Sequence, residues 1–217
     1  MNETPVRIPA AAAQLEGDLT VPDAASGIVV FAHGSGSSRR SPRNRQVAAA
    51  LNEAGLATLL FDLLTSAEDE VDLQTRELRF DIALLAERLV AATEWLVAQA
   101  ATRGLRVGYF GASTGAAAAL VAAARIPDQV GPIVSRGGRP DLAGDSLERV
   151  NSPVLLIVGG ADAQVLELNR QAAARLPGEV DLQIVPGAGH LFEEPGALEE
   201  VARLAGEFFT RRFPPNG

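Results

Sequence analysis

Short apolar segments recur along this 217-residue chain, and longer stretches with helical spacing lie between them. The apolar segments are rich in Val, Ile, Leu and Phe, and Gly, Pro or Asp bounds them. They cover 27–34, 57–62, 106–111, 131–135, 153–160 and 180–187. Segments that are apolar on both faces are typical of central strands in a parallel sheet that helices cover on both sides.

The stretches between these segments have the apolar spacing of helices. Helices are predicted over 45–55, 75–100, 115–126, 165–176 and 196–213. In 75–100, apolar side chains recur from Leu78 to Leu96 at a spacing that forms one stripe along a helix. Strand and helix alternate through almost the whole chain, which predicts an α/β fold with a doubly wound, mostly parallel sheet.

The first segment, 6–22, does not follow this alternation and is predicted to form a hairpin or edge strands. No internal repeat and no linker divides the sequence. We therefore expect a single domain over 1–217, with a frayed tail at 213–217.

Composition narrows the possible functions. The formal net charge of -8 disfavours nucleic acid and anionic membranes as partners. The absence of cysteine excludes disulfides, thiolate catalysis and cysteine zinc sites. The absence of lysine excludes a Ser–Lys dyad, a Schiff-base lysine and a Walker-type phosphate loop. We expect no cofactor and no metal.

Two features of the sequence bear on localisation. The N-terminus lacks the basic start and apolar core of a signal peptide. The longest apolar runs are too short to cross a bilayer. A cytoplasmic protein is the expectation.

Residues that can carry chemistry follow the predicted strands. In an open α/β sheet, ligands bind beyond the carboxyl ends of the strands. The residues expected at that edge are His33-Gly34-Ser35-Gly36, Asp62, the segment GASTG at 111–115, Asp162 and His190. A serine, an acid and a histidine are thus predicted to meet at one edge of the sheet.

The segment GASTG places Ser113 between Gly111 and Gly115. A serine that points out of the sheet needs a very tight turn from strand to helix, and glycines allow it because they lack a Cβ. The alanines that follow favour a helix with small side chains that can pack close to the sheet. The N-terminus of that helix would stabilise an oxyanion on a substrate.

Each of these residues also has a purely structural interpretation. The G-x-S-x-G pattern also arises by chance in a Gly- and Ala-rich chain. Asp162 could cap the helix at 165–176, since Asp is a favoured N-cap, and His190 could be an ordinary loop histidine. The order Ser113, Asp162, His190 favours catalysis, because hydrolases with a strained serine turn use that order.

Four motifs, FAHGSG, GASTG, GGADAQV and GAGHLFEEPG, together make the chain resemble the α/β-hydrolase superfamily from about residue 20 onward. The resemblance is strongest to its small dienelactone-hydrolase-like branch. Dienelactone hydrolases use a cysteine nucleophile, which this chain lacks. Only residues 136–152 are available for a cap between strands, so we expect an open site.

The resemblance implies roles for particular residues. Ser113 would be the nucleophile, His190 the general base and then acid, and Asp162 the residue that orients His190. The backbone N–H groups of Thr114 and Ser35 would form the oxyanion hole. A histidine in the position of His33 usually supports the oxyanion loop.

Six arginines are expected near the same edge of an otherwise acidic chain. They are Arg39, Arg40, Arg43, Arg45, Arg136 and Arg139. They either form a solvated basic loop or hold a carboxylate or phosphate of the substrate, since Arg forms bidentate pairs with such groups. The candidates for substrate binding are Arg39, Arg40 and Arg136.

The sequence therefore predicts a serine hydrolase that cleaves a carboxylic ester or related acyl bond in a small-molecule substrate, neutral or anionic. One alternative is a dinucleotide-binding module, because GSGSSR at 34–39 follows a strand and Asp62 ends the next one. There, however, Arg39 replaces the third glycine of the motif. The other alternative is a non-catalytic hydrolase-like binding domain. The sequence does not indicate an oligomeric state.

Overall fold

In a computed structural model that describes residues 3–213, the chain forms one eight-stranded sheet with helices on both faces. The strands are β1 (Glu3–Ala10), β2 (Ala13–Thr20), β3 (Ile28–Ala32), β4 (Ala57–Phe61), β5 (Val107–Ala112), β6 (Val130–Arg136), β7 (Val154–Gly159) and β8 (Val180–Val185). Their order is β1-β2-β4-β3-β5-β6-β7-β8, and only the β1–β2 and β2–β4 pairs are antiparallel. The predicted doubly wound, mostly parallel sheet is confirmed.

The helices form one layer on each face of the sheet. They are α1 (Pro42–Glu53), α2 (Ser66–Thr75), α3 (Ile82–Ala98), α4 (Thr114–Arg125), α5 (Ala163–Ala173) and α6 (Ala197–Arg212), with 3₁₀ segments at Leu78–Phe80 and Pro140–Arg149. Apolar side chains of α1 and α6 belong to one core, and those of α3, α4 and α5 belong to the other. None of the helices within 3–213 is long and apolar enough to cross a lipid bilayer.

Strand β3 illustrates why the central strands are apolar throughout. Val29 and Phe31 pack into the core that contains α1 and α6, and Val30 packs into the core that contains α3 and α4. All five residues of the strand are buried. Since both faces lose water on folding, each side chain contributes hydrophobic free energy, and no polar face is needed.

The predicted hairpin at 6–22 is confirmed as β1 and β2, which pair antiparallel from Glu3↔Thr20 to Ala10↔Ala13. Ile8 and Leu15 oppose one another in this pair and are completely buried, in the same core as α3. The hairpin therefore extends the sheet at the β4 edge.

The predicted helix at 75–100 is wrong in its N-terminal part. Helix α2 ends at Thr75, Arg76 adopts a left-handed conformation with φ 58°, and α3 begins only at Ile82. The buried carboxylate of Asp72 accepts the backbone N–H of Arg79 at 3.0 Å and also pairs with its guanidinium. This pair holds the chain in a turn between two helices that the apolar spacing does not reveal.

Two further segments bear on the expectations from the sequence. Between β6 and β7, the described chain forms short 3₁₀ turns at Pro140–Arg149, which leaves the edge of the sheet without a large insertion. Of the tail predicted at 213–217, only Phe213 is described. It is buried and stacks on Phe209 with ring centroids 5.9 Å apart. Residues 214–217 lie outside the described residues.

Candidate active site

Three strand ends bring Ser113, Asp162 and His190 together at the carboxyl edge of the sheet. Ser113 follows β5, Asp162 follows β7 and His190 follows β8. His190 Nδ1 lies 2.7 Å from Asp162 Oδ2, and His190 Nε2 lies 3.3 Å from Ser113 Oγ. With Asp162 ionised, the Nδ1–H of His190 donates to the carboxylate, and the free Nε2 faces the serine hydroxyl.

The turn that carries Ser113 is strained. Ser113 has φ 50° and ψ -120°, a conformation that L-residues rarely adopt, and it directly precedes α4. A Cβ at Gly115 would lie 2.5 Å from the carbonyl oxygen of His33, and a Cβ at Gly111 would lie 2.7 Å from the backbone nitrogen of Ala116. Both positions thus require glycine if strand, turn and helix are to pack this closely.

The two expected oxyanion donors are neighbours in space. Thr114 is the first residue of α4, and no residue within the described chain accepts a hydrogen bond from its backbone N–H. The backbone N–H of Ser35 donates to the hydroxyl of Thr114 at 2.9 Å. Both N–H groups lie next to Ser113, at the positive end of the α4 dipole. The contact of the Thr114 hydroxyl with Ser35 is not predicted by the sequence, because the two residues are 79 positions apart.

The carboxylate of Asp162 makes two contacts at the same time. Its Oδ1 accepts the backbone N–H of Val165 at 3.4 Å and so caps α5, while its Oδ2 faces His190. The helix cap and the histidine partner, two alternatives for Asp162 from the sequence, are therefore both present. A Cβ at Gly159 would lie 2.5 Å from the carbonyl oxygen of Gly189, so this glycine lets the histidine loop approach Asp162.

The loop after β8 fixes the histidine through its own contacts. The backbone N–H of Gly189 donates to Glu194 Oε1 at 2.9 Å. Phe192 is buried beneath the loop and has a left-handed backbone with φ 56°. The His190 side chain is 38% exposed, which leaves it open to a ligand from solvent.

His33 supports the neighbouring glycine turn from within the protein. Its ring is buried, Nδ1 lies 3.0 Å from the carbonyl oxygen of Gly34, and Nε2 accepts the backbone N–H of Leu63 at 3.1 Å. These contacts join the loop after β3 to the loop after β4. Burial lowers the pKa of His33 below its ordinary value, so the ring is neutral in the folded protein.

Carboxylates pair with four of the six arginines. Arg39 pairs with Glu16, Asp18 and Asp62, Arg45 with Glu3 and Asp18, and Arg139 with Asp141. Arg40 is exposed, and its backbone N–H donates to Ser38 Oγ at 3.2 Å. Arg43 pairs with Glu193 at 3.1 Å. Arg136 is buried, with no acidic side chain within 4.0 Å among residues 3–213.

The acid and the glycine turn that suggested dinucleotide binding have other roles in the structure. Asp62 accepts the backbone N–H of Arg39 at 2.7 Å and pairs with its guanidinium, so its carboxylate is occupied. A dinucleotide fingerprint needs its glycine turn to lead directly into a helix. Here α1 begins only at Pro42, after Ser41 caps it.

A cavity of about 100 Å³ opens beside Ser35. The glycine turn after β3 forms one wall, and the connection between β4 and α3 forms the other. The charged side chains of that second wall are Asp62, Asp69, Asp72 and Arg79. Arg79 lies in the turn between α2 and α3, which the apolar spacing does not predict, so the sequence does not indicate this cavity.

Comparison with a family model identifies the fold family. The model described as "Alpha/beta hydrolase domain" matches residues 25–203. Proteins of two Mycobacterium tuberculosis strains, each named "Putative phosphoribosyl transferase", are 59% identical over 209 residues. That match covers 96% of this chain and 46% of each relative, so the chain spans about half the length of the curated relatives.

Solved structures give the same fold. A crystal structure named dienelactone hydrolase from Anabaena variabilis has a TM-score of 0.97 and 57% identity, and the match covers 98% of this chain and 99% of that one. Est1E from Butyrivibrio proteoclasticus has a TM-score of 0.80 at 16% identity, with 95% and 98% covered. At that identity the second likeness shows the fold alone. The family model and the first structure show that the chain belongs to the α/β-hydrolase family, in its dienelactone-hydrolase-like branch.

Proposed function

We propose that the chain is a serine hydrolase that cleaves a carboxylic ester or related acyl bond of a small molecule. The observation that carries the proposal is the continuous chain of contacts from Asp162 Oδ2 to His190 Nδ1 at 2.7 Å and from His190 Nε2 to Ser113 Oγ at 3.3 Å. A serine hydroxyl is a weak nucleophile until a base takes its proton, and this arrangement provides that base.

In the first half of the reaction, Ser113 Oγ attacks the carbonyl carbon while His190 Nε2 takes the hydroxyl proton. The ionised Asp162 keeps the imidazole in the required tautomer and stabilises the imidazolium. The tetrahedral intermediate then collapses, and His190 gives the proton to the departing alcohol. In the second half, His190 takes a proton from water as the water attacks the acyl carbon. The bond from that carbon to Ser113 Oγ then breaks, the acid leaves, and His190 returns the proton to Ser113.

The negative charge that develops on the carbonyl oxygen needs hydrogen-bond donors already in place. We propose the backbone N–H groups of Thr114 and Ser35 for this role. The first belongs to the N-terminus of α4 and has no acceptor within residues 3–213, and the second is held beside it by the Thr114 hydroxyl. The Thr114 N–H is a donor fixed before the reaction, which stabilises the transition state without reorganisation. The Ser35 N–H would turn from the Thr114 hydroxyl towards the oxyanion, or share its hydrogen between the two.

The cavity beside Ser35 supports a small substrate. Its volume is about 100 Å³, and Ser35 is among its lining residues, whereas Ser113 and His190 are not. A short acyl or alcohol group would reach from Ser113 into this space past Ser35, and a long chain would have to extend into solvent. We therefore expect short-chain esters to be cleaved fastest.

Phosphoribosyl transfer is the activity that the name of the M. tuberculosis proteins suggests. This chain corresponds to 46% of those proteins, so the named activity can belong to the part that it does not match. A serine, histidine and aspartate in hydrogen-bonding order favour acyl transfer to water over phosphoribosyl transfer.

A panel of p-nitrophenyl esters and acyl thioesters with graded chain length tests the proposal. Wild type should hydrolyse short esters with burst kinetics when the acyl-enzyme accumulates. Ser113→Ala should lose this activity while its circular dichroism spectrum and unfolding curve match those of wild type. Equal rates for wild type and Ser113→Ala, or no turnover on any member, would refute the assignment.

A further inference from the structure

Arg136 is a buried cation without a counter-ion. It ends β6, the residue is 7% exposed, and no carboxylate within the described chain lies within 4.0 Å. Its Nη2 donates to Asn44 Oδ1 at 3.4 Å, but Nε and Nη1 are buried and have no protein acceptor among residues 3–213. The ring of Phe192 lies 6.0 Å from the guanidinium carbon. Burying an unpaired charge is costly, so a group that compensates it is expected.

The surroundings of Arg136 add positive charge. Arg43 stands near it, and its own Nε is also buried without an acceptor, although its Nη1 pairs with Glu193. Asn44, which contacts Arg136, lies in the first turn of α1, where the helix dipole is positive. Burial, followed by the charge of Arg43, lowers the pKa of Arg136 to about 10, which still leaves it protonated at neutral pH.

We propose that Arg136, Arg43 and the first turn of α1 form a binding site for an oxyanion, either a carboxylate or a phosphate group. The two arginines offer unpaired N–H donors, and guanidinium matches the geometry of both ligands. The first turn of α1 contributes the positive end of the helix dipole rather than a set of free N–H groups, since Pro42 has no N–H and the N–H of Asn44 donates to Ser41 Oγ at 3.4 Å.

The site adjoins the catalytic residues. The backbone carbonyl of Arg136 accepts the N–H of Ser113 at 3.3 Å, and the next residue, Gly137, lies against His190. Arg43 contacts the histidine loop through Glu193. A bound oxyanion would therefore lie beside the loop that carries His190. It is either an ionised group of the substrate, a source that rests on the proposed hydrolase function, or a free anion.

Thermal unfolding detects anion binding at this site without relying on catalysis. The probes are sodium phosphate and sodium succinate, compared with sodium chloride at equal ionic strength. At about ten times Kd, one of them should raise the Tm of wild type by about 3 °C. Arg136→Met should lose this increase, and Arg43→Gln should reduce it. Arg45→Met removes a charge that carboxylates neutralise on the same helix, and should keep the increase.

Arg136→Met is expected to fold, because methionine fills a similar volume and removes an unpaired buried charge. In chloride alone its Tm should equal or exceed that of wild type. The proposal is overturned if neither probe stabilises wild type beyond the chloride control, or if Arg136→Met and Arg43→Gln retain the full increase.

Kinetics on a matched pair of esters identify the source of the oxyanion. The pair is p-nitrophenyl hemisuccinate, which is anionic, and p-nitrophenyl butyrate, which is neutral. If the group belongs to the substrate, Arg136→Met should lower the ratio of kcat/KM for the anionic to the neutral ester by about tenfold. If it is a free anion, the ratio stays constant, and phosphate or succinate changes butyrate hydrolysis by wild type but not by Arg136→Met. If no ester is hydrolysed, the hydrolase function fails, while the Tm measurement still decides on the site.

Discussion

The backbone N–H of Ser35 donates to the hydroxyl of Thr114 at 2.9 Å, so the two residues proposed for the oxyanion hole are in direct contact. The bond joins the loop after β3 to the first residue of α4, so it connects the loop after β3 with the turn after β5. It also gives the Ser35 N–H an acceptor before any substrate arrives. Thr114 is therefore expected to position the oxyanion hole through its side chain, in addition to the proposed role of its own N–H.

Thr114→Val tests this positioning role, because it exchanges the hydroxyl for a methyl group and leaves the backbone N–H unchanged. Without its acceptor, the Ser35 N–H is held less firmly, and kcat on a short ester should fall by roughly tenfold with little change in KM. Thr114→Ser keeps the hydroxyl and is the matched control. An unchanged kcat in Thr114→Val would show that this bond has no influence on the reaction.

The two functions of Asp162 can be separated by mutation. In Asp162→Asn, the amide oxygen can still cap α5, but the partner of His190 Nδ1 is no longer a carboxylate. We expect kcat to fall by on the order of ten thousandfold while the free energy of unfolding changes little. Asp162→Ala should additionally lose about 1 kcal/mol of stability, measured by urea denaturation, because the cap is gone. Similar stabilities of the two variants would contradict the capping role.

The strained serine turn requires glycine at position 115, where a Cβ would lie 2.5 Å from the His33 carbonyl oxygen. Gly115→Ala should therefore lower the free energy of unfolding by about 3 kcal/mol, near the upper end of what overpacking costs. Gly206→Ala is the control, because a Cβ there meets its nearest neighbour, Leu51, only at 3.9 Å. That change should stabilise α6 by about 0.5–1 kcal/mol. Equal effects in urea denaturation would rule out the close approach of Gly115.

His33 makes stability depend on pH. Burial lowers its pKa below the ordinary value of 6.5, so the unfolded chain binds more protons than the folded protein in mildly acidic solution. This contribution to stability is fully present above about pH 6.5 and is lost as the pH falls towards the lowered pKa. His33→Gln can still accept the Leu63 N–H but cannot titrate. Its free energy of unfolding should decline less than that of wild type between about pH 7 and pH 5.

Urea denaturation of both proteins at the two pH values provides the measurement for His33. An identical decline in wild type and His33→Gln would mean that other groups account for the acid sensitivity. A variant that is less stable at neutral pH does not affect the comparison, since only the difference between the two pH values is used.

The sequence predicts best those strands and helices whose own side chains are buried in the core. The central strands of the parallel part are apolar on both faces, as β3 illustrates, so their positions along the chain follow from the apolar pattern. Strand β8, at the edge of the sheet, alternates with Asp181 and Gln183 and is only partly buried. The proximity of Ser113, Asp162 and His190 follows from topology, because parallel strands place their carboxyl ends at one edge. The strained φ of Ser113 agrees with the tight turn that its flanking glycines predict.

The apolar pattern of the sequence does not predict helix α2, and the reason is physical. It buries only Asp72, while Val71 and Leu73 are 57% and 66% exposed, so its apolar residues form no stripe towards a core. A different signal was available: Thr65 and Glu68 form a capping box in which each side chain bonds the backbone of the other. The T-x-x-E pattern at 65–68 predicts a helix start without any periodicity.

The partners of charged side chains could not be predicted, because they come from distant parts of the chain. Arg39 meets Glu16 and Asp18 of β2 only because that strand crosses to the β4 edge of the sheet. The sequence predicts that all six arginines lie near the carboxyl edge of the sheet, but their surroundings in the fold differ. Arg136 differs from the rest in being buried without an acid, a property that only the three-dimensional packing reveals.

Labelling with a fluorophosphonate probe, read by intact mass and peptide mapping, tests most directly whether Ser113 is an activated nucleophile. The probe forms a covalent bond with a serine only when a neighbouring base increases its reactivity. Wild type should gain one label at Ser113, Ser113→Ala should gain none, and His190→Ala should react far more slowly. Absence of labelling in folded wild-type protein, or labelling that persists in Ser113→Ala, would contradict the proposed hydrolase mechanism.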